Sequence, residues 1–267
     1  MQFQPFSAIV KEKNIRLRSW INLNQVKDLL RSHTSVRKYT GEEIPKEVVY
    51  DLVQTAQMAA TSHFVQAYSV IYVTDEEKKA KLGELTKNDF QFKTAGASFL
   101  FCVDFKRLQL AAQKHNIDIV ADSAENLLVG VADVSLFAQN FVIAAESEGY
   151  GICYIGGARN NPKEISELFN LPDYVFPMFA MTIGTPTKTN DTKPRLPVEA
   201  IIHENGYDTD KYDQLLTQYD ATLGEYYMNR NANQKVSNWT KQMADYLVEQ
   251  KRPFIKDYLA SQGFTWK

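Results

Sequence analysis

The chain has 267 residues, a formal net charge of −2, and ordinary shares of apolar (44%) and charged (23%) residues. This length allows one large domain or two small ones. The charge balance argues against nucleic acid as the main partner, because a phosphate backbone requires a clustered basic surface.

Cysteine usage and the N-terminal residues bear on the compartment. Cys102 and Cys153 lie among apolar, strand-like residues without metal-ligand spacing, so we expect neither a metal site nor a disulfide framework. The charged N-terminus lacks the apolar core of a secretory signal, and no stretch of membrane-spanning length is free of charge. We therefore predict a soluble, cytoplasmic protein without a membrane partner. Residues 1–22 show no clean periodicity and predict an irregular extension.

The first part of the chain predicts two helices and a strand. Residues 24–32 have the periodicity of a short amphipathic helix with Val26, Leu29 and Leu30 facing inward. A second helix begins at Pro45, where the missing N–H costs nothing. Residues 69–74 are β-branched and aromatic, which is typical of a strand.

The middle of the chain predicts a central strand and a long helix. Residues 97–105 are apolar on both faces, as expected of a central strand. Residues 123–148 form a helix that is apolar on most of its faces, which predicts burial inside a large domain or at a subunit interface. Residues 151–157 and 174–184 predict two more strands, and the chain is helical from about residue 208. Strands separated by helices predict an α/β or α+β fold with one sheet.

Three polar segments have the chemistry to bind an anionic, oxygen-rich ligand. In the first, residues 33–37, the side chains of His33, Thr34, Ser35 and Arg37 offer an imidazole, two hydroxyls and a guanidinium. Such a cluster can equally be a solvated loop or a helix cap.

The other two segments are also ambiguous when taken alone. Residues 154–160 end a strand with two glycines, which permit close backbone approach to a ligand or a tight turn that needs positive φ. Residues 193–197 carry Lys193 and Arg195 beside two prolines, so the cations project from a stiffened backbone, as phosphate binding requires. The alternative is an ordinary solvated loop.

In this order and at this separation, the segments resemble the FMN-dependent nitroreductase family, in particular its oxygen-insensitive NADPH nitroreductases and NADPH–flavin oxidoreductases. The resemblance covers residues 24–267 and includes residues 60–67 and 251–264. It implies an α+β fold with a central, mostly antiparallel sheet flanked by helices, and a homodimer formed through the long central helix. It also implies a single domain over residues 23–267, whose C-terminal helical segment, about 208–267, contributes to the dimer and to the donor site.

By this resemblance the protein binds FMN tightly and uses NADPH as hydride donor, and the flavin N5 carries the hydride without a catalytic side chain. The residues implied to bind FMN supply cations, hydroxyls, an amide and backbone N–H groups: His33, Thr34, Ser35, Arg37, Ser62, Gln66, Tyr154, Gly156, Gly157, Lys193 and Arg195. The residues implied on the NADPH or substrate side are Phe64, Arg159, Arg230 and Lys235. A solvated loop is an equally good explanation for the segment around Arg230 and Lys235.

Two positions depart from the family pattern. Thr34 stands where relatives often carry a second arginine, so one cation is missing. Asp89 stands where an amide is common, and an ionised carboxylate near the flavin would oppose the anionic reduced ring.

The implied reaction is a ping-pong hydride transfer from NADPH to small-molecule acceptors, namely nitroaromatics, quinones or free flavin. The first alternative is a non-catalytic protein that stores or senses flavin. The second keeps the fold and assigns a narrower role in disulfide or azo reduction.

Overall fold

A computed structural model describes residues 23–121, 123–230 and 234–265 of the chain. The chain divides into two compact units, residues 1–33 and residues 34–267. The predicted domain boundary at residue 23 remains a prediction, and the predicted extension, residues 1–22, lies outside the described residues.

The described part of the first unit is mainly helix α1 (Leu23–Ser32). The helix itself was predicted, and Leu29 is half-buried, but Val26 and Leu30 are 42% and 47% exposed, so the expectation that these two face inward is wrong. Periodicity identifies the apolar face of a helix, and it carries no information about what covers that face.

The strands of the second unit form, within the described residues, one four-stranded antiparallel sheet. In chain order they are β1 (Tyr68–Tyr72), β2 (Ala97–Asp104), β3 (Gly151–Ile155) and β4 (Val175–Gly184). Their spatial order is β1-β2-β4-β3, so β2 and β4 are central, and every residue of β2 is buried, as its sequence predicted. The antiparallel sheet with its flanking helices confirms the α+β fold.

The pairing of β2 with β4 contains a β-bulge. Phe101 pairs with Phe179 and Cys102 pairs with Pro177, so Met178 has no partner in the register. The bulge explains how a central strand accommodates Pro177, which cannot donate a hydrogen bond to the ladder.

Helices cover both faces of the sheet. The helices of the second unit are α2 (Lys46–Ala56), α3 (Glu76–Thr86), α4 (Asp89–Thr94), α5 (Lys106–Gln113), α6 (Ala124–Ser147), α7 (Pro162–Leu168), α8 (Tyr212–Asn229), α9 (Trp239–Leu247) and α10 (Ile255–Ser261). One face packs against α2 and α6, and the other packs against α3, α4 and α7. Alternate residues of β2 enter these two cores, because successive side chains of a strand point to opposite faces.

Helix α6 is the long central helix that the sequence predicted. The Ser123 hydroxyl caps its first turn by accepting from the Asn126 N–H (3.0 Å), and Gly149 follows its end with φ +86°. By length and mean hydropathy (1.8) the helix is long and apolar enough to cross a membrane. In this fold, however, one side of the helix packs into the core and includes Phe137. Leu128 and Leu136 of the same helix are 64% and 48% exposed.

Candidate functional site

The first predicted segment is fixed to β3. Ser35 forms a parallel bridge with Ile152, and the Val36 N–H donates to the Ile152 carbonyl (2.8 Å). Arg37 follows with an exposed side chain. Because β3 also leads into the two glycines, a single strand carries the first predicted segment at its start and the second at its end. The roles of His33, in the first unit, and of Thr34 remain predictions.

The loop after β4 is fastened to the same segment. The Asn190 amide Nδ2 donates to the Ser35 carbonyl (3.0 Å), and the Thr187 N–H donates to the Lys38 carbonyl (3.2 Å). This loop continues into the third predicted segment, which begins three residues after Asn190. The structure thus connects all three segments, and Asn190 is a connecting residue that sequence reasoning missed.

The buried side chain of Tyr39 anchors the first segment. Its hydroxyl donates to the Val36 carbonyl (2.7 Å) and also lies 2.9 Å from the Thr182 Oγ1. Burial raises the pKa of Tyr39, and this effect outweighs the hydrogen bond with Thr182, which lowers it. The tyrosine therefore stays neutral and keeps its proton for these bonds at ordinary pH.

The two glycines after β3 form a 3₁₀ turn, Gly156–Arg159, whose packing explains one of them. A Cβ on Gly157 would lie 2.4 Å from the Thr86 carbonyl oxygen, whereas a Cβ on Gly156 would meet nothing closer than Arg159 Nη2 at 3.5 Å. Neither glycine has a positive φ, so of the two explanations that the sequence left open, the tight turn with positive φ is wrong. The second glycine is required by close backbone packing, whereas a Cβ at the first would make only ordinary van der Waals contacts.

Arg252 braces this turn from the C-terminal part of the chain. Its Nε and Nη2 donate to the Asn160 Oδ1 (3.0 and 2.8 Å), and Nη2 also lies 3.3 Å from the Gly156 carbonyl oxygen. Nothing in a single sequence pairs residues 92 positions apart, so this residue was not predicted as part of the site.

Arg159 and Tyr154, two predicted ligand residues, make contacts within the protein. Arg159 Nη1 donates to the carbonyl of Met178 at the bulge, and burial, with the nearby Arg252 charge, lowers the Arg159 pKa. The Tyr154 ring meets Phe179 edge-on at 5.1 Å. These contacts position both side chains, and the role of each toward a ligand remains a prediction.

Residues 62–66 form a loop with unusual backbone conformations. His63, Phe64 and Gln66 have φ values of +48°, +59° and +53°, a region that non-glycine residues rarely adopt. The Gln66 amide folds back toward the Phe64 carbonyl (3.4 Å), and the Phe64 side chain is 81% exposed. Ser62, whose hydroxyl lies 3.2 Å from His63 Nδ1, begins the loop. Strain of this kind is concentrated at functional sites in proteins.

Three predicted cations surround one tyrosine ring. Lys193 Nζ, Arg230 Cζ and Lys235 Nζ lie 5.4, 5.0 and 4.4 Å from the centroid of Tyr227. We call these four residues the Tyr227 cluster. Burial alone would raise the Tyr227 pKa, but the interactions with Lys193, Gln242 and Lys235 lower it overall. The sequence assigned Lys193 to the flavin phosphate and the other two cations to the donor, and the structure brings them together.

Helix α8 holds two segments near the Tyr227 cluster: residues 193–197 and the start of α9. The Tyr219 hydroxyl donates to the Pro194 carbonyl (2.9 Å), and Arg195, which is exposed, donates to the Lys193 carbonyl (2.6 Å). Asp220 Oδ1 accepts from the Trp239 N–H (2.8 Å) and thereby ties the start of α9 to the same helix. Residues 231–233 of the predicted donor segment lie outside the described residues.

Asp89, one of the two departures from the family pattern, is the first residue of α4. A carboxylate is favourable there because it faces the positive end of the helix dipole. The preceding Asn88 amide Nδ2 would lie 3.3 Å from a Cβ on Gly157, so Asp89 directly follows a residue that packs on the glycine turn. Its effect on a flavin remains a prediction.

The fold and site define an α+β protein in which segments fastened to one strand of an antiparallel sheet, or to each other, contain the predicted cations, hydroxyls and glycines. Residues 30–185 match the nitroreductase family, and residues 193–267 match the nitroreductase family, C-terminal domain. The chain belongs to the nitroreductase family, and it is an oxidoreductase enzyme of that type.

Among similar proteins, a Cr(VI) reductase of Pseudomonas sp. (strain G-1) is 67% identical over 242 residues, which are 91% of this chain and 100% of the relative. An FMN reductase (NADPH) of Bacillus subtilis (strain 168) is 37% identical over 247 residues, covering 91% of this chain and 99% of that protein. The solved structure of NADPH:FMN oxidoreductase from Vibrio harveyi, complexed with NAD+, superposes with a TM-score of 0.81 at 33% identity, covering 89% of this chain and 97% of that one.

Proposed function

We propose that the protein is an FMN-dependent NADPH oxidoreductase that reduces small-molecule acceptors. The observation that carries this proposal is the convergence on β3: Ser35 bridges Ile152 at its start, Gly156 follows its end, and Asn190 joins the third segment to the first. The names of the relatives from Pseudomonas, Bacillus and Vibrio support the same chemistry.

The residues present fit FMN. Lys193, Arg195 and Arg37 are exposed cations, which a phosphate group and an electron-rich ring edge require. Gly156 carries no side chain, and its nearest neighbour at the Cβ position is Arg159 Nη2 at 3.5 Å, so its backbone permits close approach of a flat ring. When bound, FMN supplies the hydride carrier between the nicotinamide donor and the acceptor.

The protein contributes binding, orientation and charge. In this proposal Lys193 and Arg195 bind the phosphate, and Ser35 contributes a hydroxyl to the ribityl chain. Arg37 offsets negative charge at the N1 side of the ring, where a fixed cation favours the reduced state. The N–H groups at Gly156 and Gly157 orient the N5 edge. Protons for the product come from solvent, so no acidic side chain is required.

The donor and acceptor are assigned to two different parts of the site. Arg230 and Lys235 are proposed to bind the 2′-phosphate of NADPH, and the exposed Phe64 ring offers an aromatic surface to flat acceptors. The acceptors proposed are nitroaromatics, quinones and free flavin. Chromate joins them as a candidate because the Pseudomonas relative, at 67% identity, is named a Cr(VI) reductase.

The assembly and location are also proposals. Leu128 and Leu136 leave an apolar surface exposed on α6, which supports a homodimer formed through that helix. Cys102 and Cys153 are free and buried, in keeping with a reducing cytoplasm.

The proposal is tested by the colour of the purified protein. It should be yellow, NADPH should bleach the flavin absorbance under anaerobic conditions, and a nitroaromatic, quinone or chromate should restore it. A yellow protein that no nicotinamide nucleotide reduces would identify a storage protein. Recovery with disulfide or azo compounds alone would identify the narrower reductase. A colourless protein that does not bind added FMN would refute the proposal.

A further inference from the structure

The loop at residues 62–66 needs an anchor. Three of its five residues, His63, Phe64 and Gln66, adopt the left-handed conformation without being glycine. Each such residue is less stable there than in an ordinary conformation, so the loop persists only where other contacts over-determine it.

Asp133 of α6 provides contacts at both ends of this loop. Its side chain is fully buried (0% exposed). Oδ1 accepts from the Ser62 N–H (3.0 Å) and Oδ2 accepts from the Ala67 N–H (3.0 Å). A buried carboxylate requires hydrogen-bond donors, and bonds to an ionised acceptor are stronger than those between neutral groups. One side chain thus clamps the residues that precede and follow the strained stretch.

Arg107 supports only the second end. Its Nη1 donates to the Gln66 carbonyl (3.3 Å) and its Nη2 donates to the Tyr68 carbonyl (3.2 Å). Asp133 differs because it joins Ser62 to Ala67, and it therefore fixes the span of the loop as well as its position.

We infer that Asp133 is a positioning residue for the reaction: it holds residues 62–66 in the conformation that presents Ser62 and Gln66 to the flavin and Phe64 to the acceptor. This inference rests on the proposed function. It assigns a role in ligand binding to a carboxylate in the buried core, on a helix that contributes no predicted flavin residue.

The substitution Asp133→Asn separates this role from packing. An amide has nearly the same shape as a carboxylate, but its NH₂ group cannot accept from a backbone N–H. Either the Ser62 N–H or the Ala67 N–H therefore loses its acceptor and faces the NH₂ group, which is also a donor. Leu82→Ala is the matched control. Leu82 is fully buried in the core on the opposite face of the sheet, so its truncation should lower stability without removing a contact of the loop.

The first measurement is amide hydrogen exchange in flavin-free protein. Asp133→Asn should accelerate exchange within residues 62–67 well beyond its effect on the sheet. Leu82→Ala should leave this segment as protected as in the wild type, even if its unfolding temperature falls as much as that of Asp133→Asn. Equal protection of the segment in Asp133→Asn and wild type would overturn the anchoring role.

The second measurement is the FMN dissociation constant, from flavin fluorescence, together with the visible circular dichroism of the bound flavin. We expect about a tenfold weaker affinity and an altered spectrum in Asp133→Asn, as loss of a bond to a charged group implies, and neither change in Leu82→Ala. Wild-type affinity and spectrum in Asp133→Asn would overturn the inference, as would equal changes in both variants. Wild-type protein that binds no FMN would instead overturn the proposed function. Should Asp133→Asn not fold, Asp133→Glu keeps both acceptors but displaces them by one methylene, and the same measurements apply.

Discussion

Arg252 contacts Asn160 through two nitrogens of its guanidinium, with Nε and Nη2 3.0 and 2.8 Å from the same side-chain oxygen. The Asn160 side chain follows directly after the 3₁₀ turn that contains both glycines, and Nη2 also reaches the Gly156 carbonyl (3.3 Å). The C-terminal part of the chain thus fixes the backbone proposed to orient the flavin.

Arg252→Ala should misplace this turn. Because the substitution removes two donors from Asn160 and one from Gly156, we expect the rate of flavin bleaching by NADPH to fall about tenfold. Arg252→Lys should recover only part of the rate, since an ammonium group cannot reproduce the planar fork. Stopped-flow absorbance under anaerobic conditions measures the effect. Lys256→Ala, which removes an exposed cation from the same region, is the control. Equal rates in Arg252→Ala and Lys256→Ala would contradict the bracing role.

The two glycines should differ in their tolerance of alanine. At Gly157 a Cβ would lie 2.4 Å from the backbone oxygen of Thr86, so Gly157→Ala should lower the free energy of unfolding by about 1–3 kcal/mol. Gly156→Ala should have little effect on stability, because the nearest atom, Arg159 Nη2 at 3.5 Å, lies at ordinary van der Waals distance, and the substitution should weaken FMN binding instead. Urea denaturation and FMN titration of both variants distinguish the two effects. The reverse order of stabilities would show that the turn packs differently.

Arg195 and Arg230 should affect different ligands. Arg195→Ala should weaken FMN retention more than Arg230→Ala does, by about tenfold for one lost charge-assisted contact. Arg230→Ala should raise the KM for NADPH and leave the KM for NADH nearly unchanged. Dialysis followed by flavin absorbance, and steady-state kinetics with both nucleotides, provide the comparison. An equal response to NADPH and NADH would exclude the 2′-phosphate assignment.

Lys193 should affect both ligands at once. Lys193 is itself proposed to bind the flavin phosphate, and its Nζ lies 5.4 Å from the Tyr227 ring that Arg230 and Lys235 also approach. Lys193→Ala should therefore weaken FMN retention and also raise the KM for NADPH. If only FMN retention changes, the Tyr227 cluster does not act as one charged unit. Lys188→Ala, which removes an exposed cation earlier in the same loop, controls for net charge.

Alkaline pH should destabilise the protein through buried tyrosines. Burial raises the pKa of Tyr39 in the folded state, so the unfolded chain, with a tyrosine pKa near ~10, loses the proton first. The stabilising contribution of the neutral side chain is complete below about pH 10 and is lost as the pH rises further. Urea denaturation at pH 8 and at pH 10.5 should show this fall.

Tyr39→Phe isolates the contribution of one hydroxyl. It should cost about 1 kcal/mol at pH 8, because the bonds to Val36 and Thr182 are lost, and it should make the alkaline fall less steep. Tyr50→Phe, at a side chain that is 60% exposed, is the control. An unchanged pH dependence in Tyr39→Phe would mean that other groups dominate.

The strands and the long helix were predictable because their signals are local. Runs of β-branched and aromatic residues marked all four strands to within a few residues, and Ser123 and Gly149 marked the two ends of α6. The short helices α4 and α5 were not predicted, because six to eight residues contain too few turns to establish a period.

Most contacts within the candidate site could not be predicted from one sequence. The bonds of Asn190 to Ser35, of Arg252 to Asn160 and of Asp133 to Ser62 join residues 155, 92 and 71 positions apart. Composition and spacing describe neighbours along the chain, whereas these partners are neighbours only after the sheet has formed. The same limit applies to Gly157: the sequence suggested close approach to a ligand or a turn with positive φ, whereas the fold requires a glycine there because the Thr86 carbonyl packs against it.

The extra residue in β4 has a consequence for the turn after β3. A regular ladder would commit the backbone of Met178 to β2, and the bulge instead leaves its carbonyl oxygen to receive Arg159. The fourth residue of the turn is thereby tethered to a strand that lies beside its own. The bulge in β4 thus supplies an acceptor that holds the turn after β3. Deleting one residue from β4 would remove this acceptor and disturb the Gly156–Arg159 turn, although the turn belongs to a different segment of the chain.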